Sequence, residues 1–180
     1  MPAAPYLADP AVLAALLEVP ADDPRMLTAL RLASARFRGA VRHPVSLVEN
    51  DTVFVDGTGR ATLPLPAAPV VRLGPVIVDG TVLTGVRVRR SSGVLLHPDG
   101  CWPEWAEITV TYDHGHDPVP DDIAEAVIDK ARALHDVVPA VQQITTGSES
   151  VSFAAVATVG TTDQWRTAVE AHRLNRGDGA

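Results

Sequence analysis

The sequence is poor in the residues on which much protein chemistry depends. Its single cysteine, Cys101, excludes a disulfide within the chain and any zinc site built on a Cys-x-x-Cys pair. Lys130 is the only lysine, and the remaining positive charge is arginine. Aromatic residues make up 4% of the chain, so a core must be built from the Val, Leu, Ile and Ala that dominate the 46% hydrophobic fraction. Positive charge is outweighed, 15 Lys and Arg against 22 Asp and Glu, for a net charge of −7 and a pI near 5.2. That balance argues against a protein that coats DNA through its phosphates, which requires clustered Lys and Arg. No apolar run approaches the roughly 18–20 residues of a membrane-spanning helix, and MPAAPYLADP lacks the basic start of a secretion signal. The expectation is a soluble protein of a reducing cytosol, with no membrane partner. There is no internal repeat and no low-complexity tract.

Familiar catalytic motifs are absent too. Ser91-Ser92-Gly93 lacks the flanks of a nucleophile elbow. Gly57-Thr58-Gly59 lacks the lysine and spacing of a phosphate loop and reads as a turn. Cys101 with a distant His is a nucleophile only on paper and reads as a buried or merely tolerated thiol, and Arg176-Gly177-Asp178 is a tail tripeptide. Arg89-Arg90 reads as a solvated strand end with a secondary possibility of touching a partner; Trp102 and Trp105 read as core or as a lid over a sheet.

What is present is a change of periodicity along the chain. Asp9-Pro10 opens a short helical segment. Asp22 or Asp23, followed by Pro24, starts a longer helix on which Met26, Leu30, Ala33, Phe37 and Val41 form one apolar stripe, with Gly39 as its stop. From 45 to 113 the pattern becomes short β-branched runs, VSLVEN, DTVFVDG, RATLPLP, VVRLGPVIVDG, TGVRVRR and EITVTY, divided by Gly, Pro, Asn and Asp. These predict antiparallel strands and hairpins, with two strands around Gly74-Pro75 and a tight turn at Asp79-Gly80. Helix returns at PDDIAEAVIDKARALHDVV, whose stripe is Ile123, Val127, Ala131, Leu134 and Val138, ended by Pro139. A polar stretch turns β-like from Val151 to Val156. Thr161 and Gln164 then form a capping box for a last helix with Trp165, Ala168, Val169 and His172 on one face. The fold class expected is α+β, with helices in the N- and C-terminal parts and a mostly antiparallel β insertion between. The parts are 1–44, 45–113 and 114–180 of one structural unit.

The densest chemistry is YDHGHDPVPDDI, Tyr112 to Ile123, with two histidines and four aspartates. On a strand His114 and His116 would project to one side, and Asp113 or Asp117 could add oxygen ligands for Zn, Mn or Fe. A small metal-dependent enzyme using His114, His116 and Asp117 is therefore one reading. It lacks a third histidine and any His-Glu-x-x-His motif. The plainer reading is a strand ending at Tyr112, a turn through His-Gly-His-Asp, and a helix begun by Pro120. Asp121, Asp122 and Glu125 then occupy the first turn, where the helix dipole favours negative charge.

The order of these pieces carries a resemblance. GVLLHPDGCWPEWAEITVTYDHGHDPVPDDIAEAVIDKARAL, then a Gly-Ser-Glu-Ser segment, SVSFA and a last helix, resembles the head-to-tail adaptor (head completion, or connector) proteins of tailed bacteriophages, in the form found in actinobacterial phages and prophages. The most specific piece is ITVTYDHGHDPVPDDI. His116 departs from the family, which often has an aromatic residue there. The resemblance spans residues 10 to 175 and is strongest over 93–155.

It implies a structural virion protein at the head–tail interface, assembled in host cytoplasm into a ring, usually dodecameric, beneath the portal. Implied partners are the portal protein, a tail-side connector (stopper) protein and other copies of the chain. DNA passes through without specific binding; no cofactor and no catalytic residue are implied. The resemblance places portal contacts on Trp165, Val169 and His172, and inter-subunit contacts on Thr146, Ser148, Glu149, Ser150, Val151 and Phe153. Asp113, Asp117, Asp121 and Asp122 are candidates for an acidic lumen, where fixed negative charge would repel phosphate. A host-encoded β-barrel binding module remains the other alternative.

Overall fold

The computed structural model describes residues 4–136, 143–146, 149–152 and 162–174. In chain order its elements are α1 (Pro10–Leu17), α2 (Pro24–Val41), β1 (Val48–Asp56), β2 (Thr62–Pro64), β3 (Val70–Val78), β4 (Thr81–Val82), β5 (Arg87–Arg89), β6 (Val94–Leu96), β7 (Glu107–His114), α3 (Asp121–Asp136), β8 (Gln143–Thr146), β9 (Glu149–Ser152) and α4 (Asp163–His172). This is an α+β protein with helices towards both ends and antiparallel sheets in the middle, as the periodicities predict. Two compact units arise, one mainly helical from residues 5–37 and 121–171, the other β-rich and built on residues 38–120 together with the segment from His172.

In the helical unit the starts are set by capping carboxylates. Asp9 accepts a hydrogen bond from the Ala11 N–H at 2.8 Å, and Asp23 accepts one from the Met26 N–H at 2.7 Å, each followed by a proline at the first helical position. Met26, Leu30, Ala33, Phe37 and Val41 are all fully buried, as their spacing requires. Gly39 does not stop α2. The helix runs on to Val41 and ends at Arg42, whose φ is 64°. Glycine inside a helix costs about 1 kcal/mol, less than full burial of a valine returns at ~1.5–3 kcal/mol.

On α3, Ile123, Val127 and Ala131 are buried with Ala126, while Leu134 is half-buried; Val138 and Pro139 lie outside the described residues. The polar stretch before Val151 also forms a strand: β8 pairs with β9 from Gln143 opposite Ser152 to Thr146 opposite Glu149. Residues 153–156 lie outside the described residues. The cap of α4 is Thr162, whose Oγ1 accepts from the Trp165 N–H at 3.1 Å. Thr161, the other member of the expected capping box, lies outside the described residues, and the Gln164 side chain donates to Glu125 Oε2 at 3.0 Å.

The β-rich unit contains a four-stranded sheet in the order β1-β7-β3-β4 and a three-stranded sheet in the order β2-β6-β5, all antiparallel. Their inner faces share one core: Leu63 and Leu95 from the small sheet, Val76, Ile108, Val110 and Tyr112 from the large one, and Trp102 from the loop before β7. Gly74-Pro75 does not divide two strands. Leu73 pairs with Tyr112 and Val76 with Val110, so Gly74 and Pro75 together oppose Thr111 in a bulge within β3. A Cβ on Gly74 would lie 2.7 Å from the Thr111 carbonyl oxygen. The hairpin at Asp79-Gly80 is as predicted, with φ of 47° and 81°. Among the described residues no helix is long and apolar enough to cross a membrane.

Candidate functional site

The first part of the stretch, Tyr112 to Pro120, closes the β-rich unit, and Asp113 and His114 are placed by a second bulge. Val48 pairs with His114 and Asp51 with Tyr112, so Glu49 and Asn50 oppose the single residue Asp113. Asn50 takes the extra residue's left-handed conformation, φ 51°, which asparagine tolerates better than most side chains. Its N–H then donates to Asp113 Oδ1 at 2.7 Å. Arg72, on β3, donates through Nε to Asp113 Oδ2 at 2.7 Å and through Nη2 to Asn50 Oδ1 at 3.0 Å. The Arg72 hydrogen bond first, and the Asn50 N–H second, hold the Asp113 carboxyl below the usual carboxylate range, against an opposing effect of burial.

Past the bulge, Asp51 meets the other side of β7. His114 is fully buried, and its Nε2 lies 3.0 Å from Asp51 Oδ2. Its ring lies 4.8 Å from that of Tyr112, and its Nδ1 finds no hydrogen-bond partner among the described residues. His-Gly-His-Asp is thus not a free turn. Gly115 donates to the Pro69 carbonyl at 2.9 Å, His116 to the Val45 carbonyl at 2.8 Å, and the Leu47 N–H donates to the His116 carbonyl at 2.9 Å. At Gly115 φ is 97°, and a Cβ there would lie 2.4 Å from the Ser46 carbonyl oxygen, so the position requires glycine.

That left-handed glycine breaks the strand alternation on which the metal reading depended. His114 points into the core towards Asp51, the His116 ring packs edge-on against His172 at 5.9 Å, and Asp117 is exposed. The three do not converge. Among the described residues no group of three His, Cys, Asp or Glu side chains is placed to hold a metal ion. Beside Arg72, an open cavity of about 360 Å³ runs between β3 and β5, lined by Leu73, Val76, Leu83, Val86 and Val88, with Arg90 at its rim. It presents aliphatic walls and arginines. Cys101 is exposed.

The other expected site residues are spread over the chain. Asp121 and Asp122 are exposed in the first turn of α3, whereas Asp113 is buried and paired. Trp165 is buried, its ring edge-on to Phe37 at 5.2 Å with Lys130 Nζ 5.7 Å from its centre. Burial lowers the pKa of that lysine, and the charge of Arg36 adds to the effect. Val169 and His172 are half-buried, and the His172 carbonyl accepts from His43 Nε2 at 2.8 Å. Thr146 ends β8, while Glu149, Ser150 and Val151 lie in β9. Ser148 and Phe153 lie outside the described residues, as do Arg176 to Asp178.

No protein-family model matches the sequence, and no curated protein matches it. Solved structures do. A chain in the neck of a native gene transfer agent (GTA) particle, computed with twelvefold symmetry, superposes with a TM-score of 0.64 at 18% identity, covering 100% of this chain and 96% of that one. This chain has the fold of a neck chain. A chain in the neck of the empty particle, computed with sixfold symmetry, gives 0.59 at 18% identity over 95% and 91% of the two chains. One in the virion of the native gene transfer agent particle gives 0.62 at 16% identity over 100% and 96%. The neck fold therefore extends over both units of this chain, and not over the β-rich unit alone.

Sequence reasoning found Asp113 and His114 but missed Asn50, Asp51 and Arg72, which give them their roles. A signal was available in Glu49-Asn50-Asp51, where three polar residues interrupt an alternating run and asparagine is suited to the left-handed bulge position. The sequence suggests core or lid for Trp105. It is 80% exposed, whereas Trp102, three residues earlier, is fully buried.

Proposed function

We propose that the chain is a structural component of the neck of a phage-like particle, joining head to tail as one copy in a ring around the DNA channel. The observation that carries this reading is a common fold over the full length of the chain with a neck chain solved under twelvefold symmetry. The adaptor-like motif from Gly93 to Leu134 supports it independently, since it rests on sequence. So does the arrangement of the polar stretch: Asp113 and His114 are engaged with Arg72 and Asp51, which suits a clamp on the sheet better than a reaction centre. The role is structural and not enzymatic.

In this reading the chain associates with the portal on one side, a tail-side connector on the other, and further copies of itself around the ring. The virion is its destination, reached from the host cytoplasm. Trp165 packs on Phe37 in its own unit, and the half-buried Val169 and His172 are assigned to contact with the portal. The β8–β9 hairpin, with Thr146 to Phe153, is assigned to contact between copies. Exposed Asp117, Asp121 and Asp122 are assigned to the lumen; Asp113, neutralised by Arg72, contributes little there.

Negative-stain imaging of this chain with and without a portal protein from the same particle tests the proposal. Rings seated on portal are expected. A chain that neither binds portal nor forms rings would contradict it.

A further inference from the structure

The sheets of the β-rich unit leave two outer faces of unlike chemistry. On the four-stranded sheet, Phe54 pairs with Thr109, Thr109 with Ile77, and Ile77 with Val82, so one row crosses all four strands. Phe54 alternates with the inward Val53 and Val55 and is 69% exposed; Val82 is 60% exposed. The next row on this face is acidic. Asp56 pairs with Glu107, and the Glu107 N–H donates to Asp79 Oδ1 at 3.0 Å. All three of these acids are exposed. Trp105 stands at the same end of the β1–β7 ladder, where its N–H donates to the Gly57 carbonyl at 2.9 Å and its φ is 64°.

The three-stranded sheet has the opposite character. Leu63, Leu95 and Val88 pair in register and point into the shared core. Alternation therefore directs Arg87 and Arg89 outward, and both are exposed. Their cross-strand partners are Leu96 and Val94. Because the two inner faces enclose one core, the acidic apolar face and the basic apolar face look away from each other.

We propose that these faces bind each other between copies: the Phe54–Ile77–Val82 row of one protomer, with its acids, receives the Arg87–Arg89 face of the next. The inference rests on the ring reading above and adds a sheet-to-sheet contact to the β8–β9 contact assigned there. A ring of more than two copies in simple rotational symmetry needs two different complementary patches on each protomer, because a patch that binds itself closes at a dimer. Opposite placement across one rigid core provides such a pair. Opposite charge selects the pairing and keeps two acidic faces apart, which a chain of net charge −7 requires. Exposed aromatic side chains such as Phe54 and Trp105 suit the desolvated centre of such a contact.

The test uses the full-length chain with Cys101→Ser, carrying either Phe54→Cys or Thr62→Cys, mixed and treated with a short bis-maleimide. Thr62 is an exposed residue paired with Leu96, two positions from the arginines across the sheet. Cross-links between the two proteins should exceed those within either by about tenfold. Arg87→Glu with Arg89→Glu in the Thr62→Cys protein should abolish them. Asp56→Arg with Glu107→Arg in the Phe54→Cys protein should then restore them. Val82→Cys replaces Phe54→Cys should that variant not fold. Cross-links confined to like pairs, their absence, or indifference to charge reversal would overturn the proposal. Rings that still form on portal despite such a result would leave the neck reading standing and move the interface elsewhere.

Discussion

Asp113 and His114 are neighbours in sequence, yet their side chains serve opposite faces of β7. Asp113 takes Arg72 and the Asn50 N–H; His114 takes Asp51 and the core. The Asp113 carboxyl titrates below its ordinary value because its charged form is hydrogen-bonded. A depressed carboxyl contributes stability that is fully present above the unfolded value of about 3.9 and is lost as pH falls through the folded one. Asp113→Asn should therefore lower the melting temperature at neutral pH, and the gap to the parent should close in acid. A gap that persists unchanged in thermal melts at low pH would contradict this. His114→Ala, which reading the segment as a turn makes harmless, should instead cost about 1–3 kcal/mol, since it leaves a cavity and strips Asp51 of its partner. His116→Ala should cost less, and urea titration of the two variants compares them. Gly57→Ala should also destabilise the chain: its Cβ would lie 1.8 Å from the Pro103 carbonyl oxygen, and forcing the loop apart should cost at least ~1–3 kcal/mol.

Among the elements, α4 decides where an apolar helix face belongs. Trp165 packs on Phe37 in its own unit. Trp165→Ala should destabilise the isolated chain by about 3–5 kcal/mol, visible as a large fall in melting temperature. An unchanged melt would return Trp165 to the partner-facing surface. Much of the secondary structure was legible because stripe and alternation report burial directly: the α2 stripe and the Asp79-Gly80 hairpin follow from it. What was not legible depended on contacts distant in sequence. Whether Gly39 stops a helix depends on what Val41 meets. Whether Gly74-Pro75 divides a strand depends on Thr111 lying opposite. Whether His114 and His116 share a face depends on the backbone twist at Gly115, which the Ser46 carbonyl enforces from across the sheet. The partners Asp51 and Arg72 lie 63 and 41 residues from their targets, beyond the reach of local pattern.

For the whole molecule, the charge imbalance and the fold are the two properties on which the proposed neck role rests. Under the proposed neck role an acidic chain would resist adhesion to DNA passing close by, and the fold it has in common with neck chains runs over its full length. The most direct measurement of the central claim is electron cryo-microscopy of particles from a producer strain, comparing the parent with a strain in which this gene is deleted. The account predicts rotationally averaged density for a ring of this chain between portal and tail in the parent, and tailless heads without that ring in the deletion. Complete, tailed particles made without the chain would contradict it.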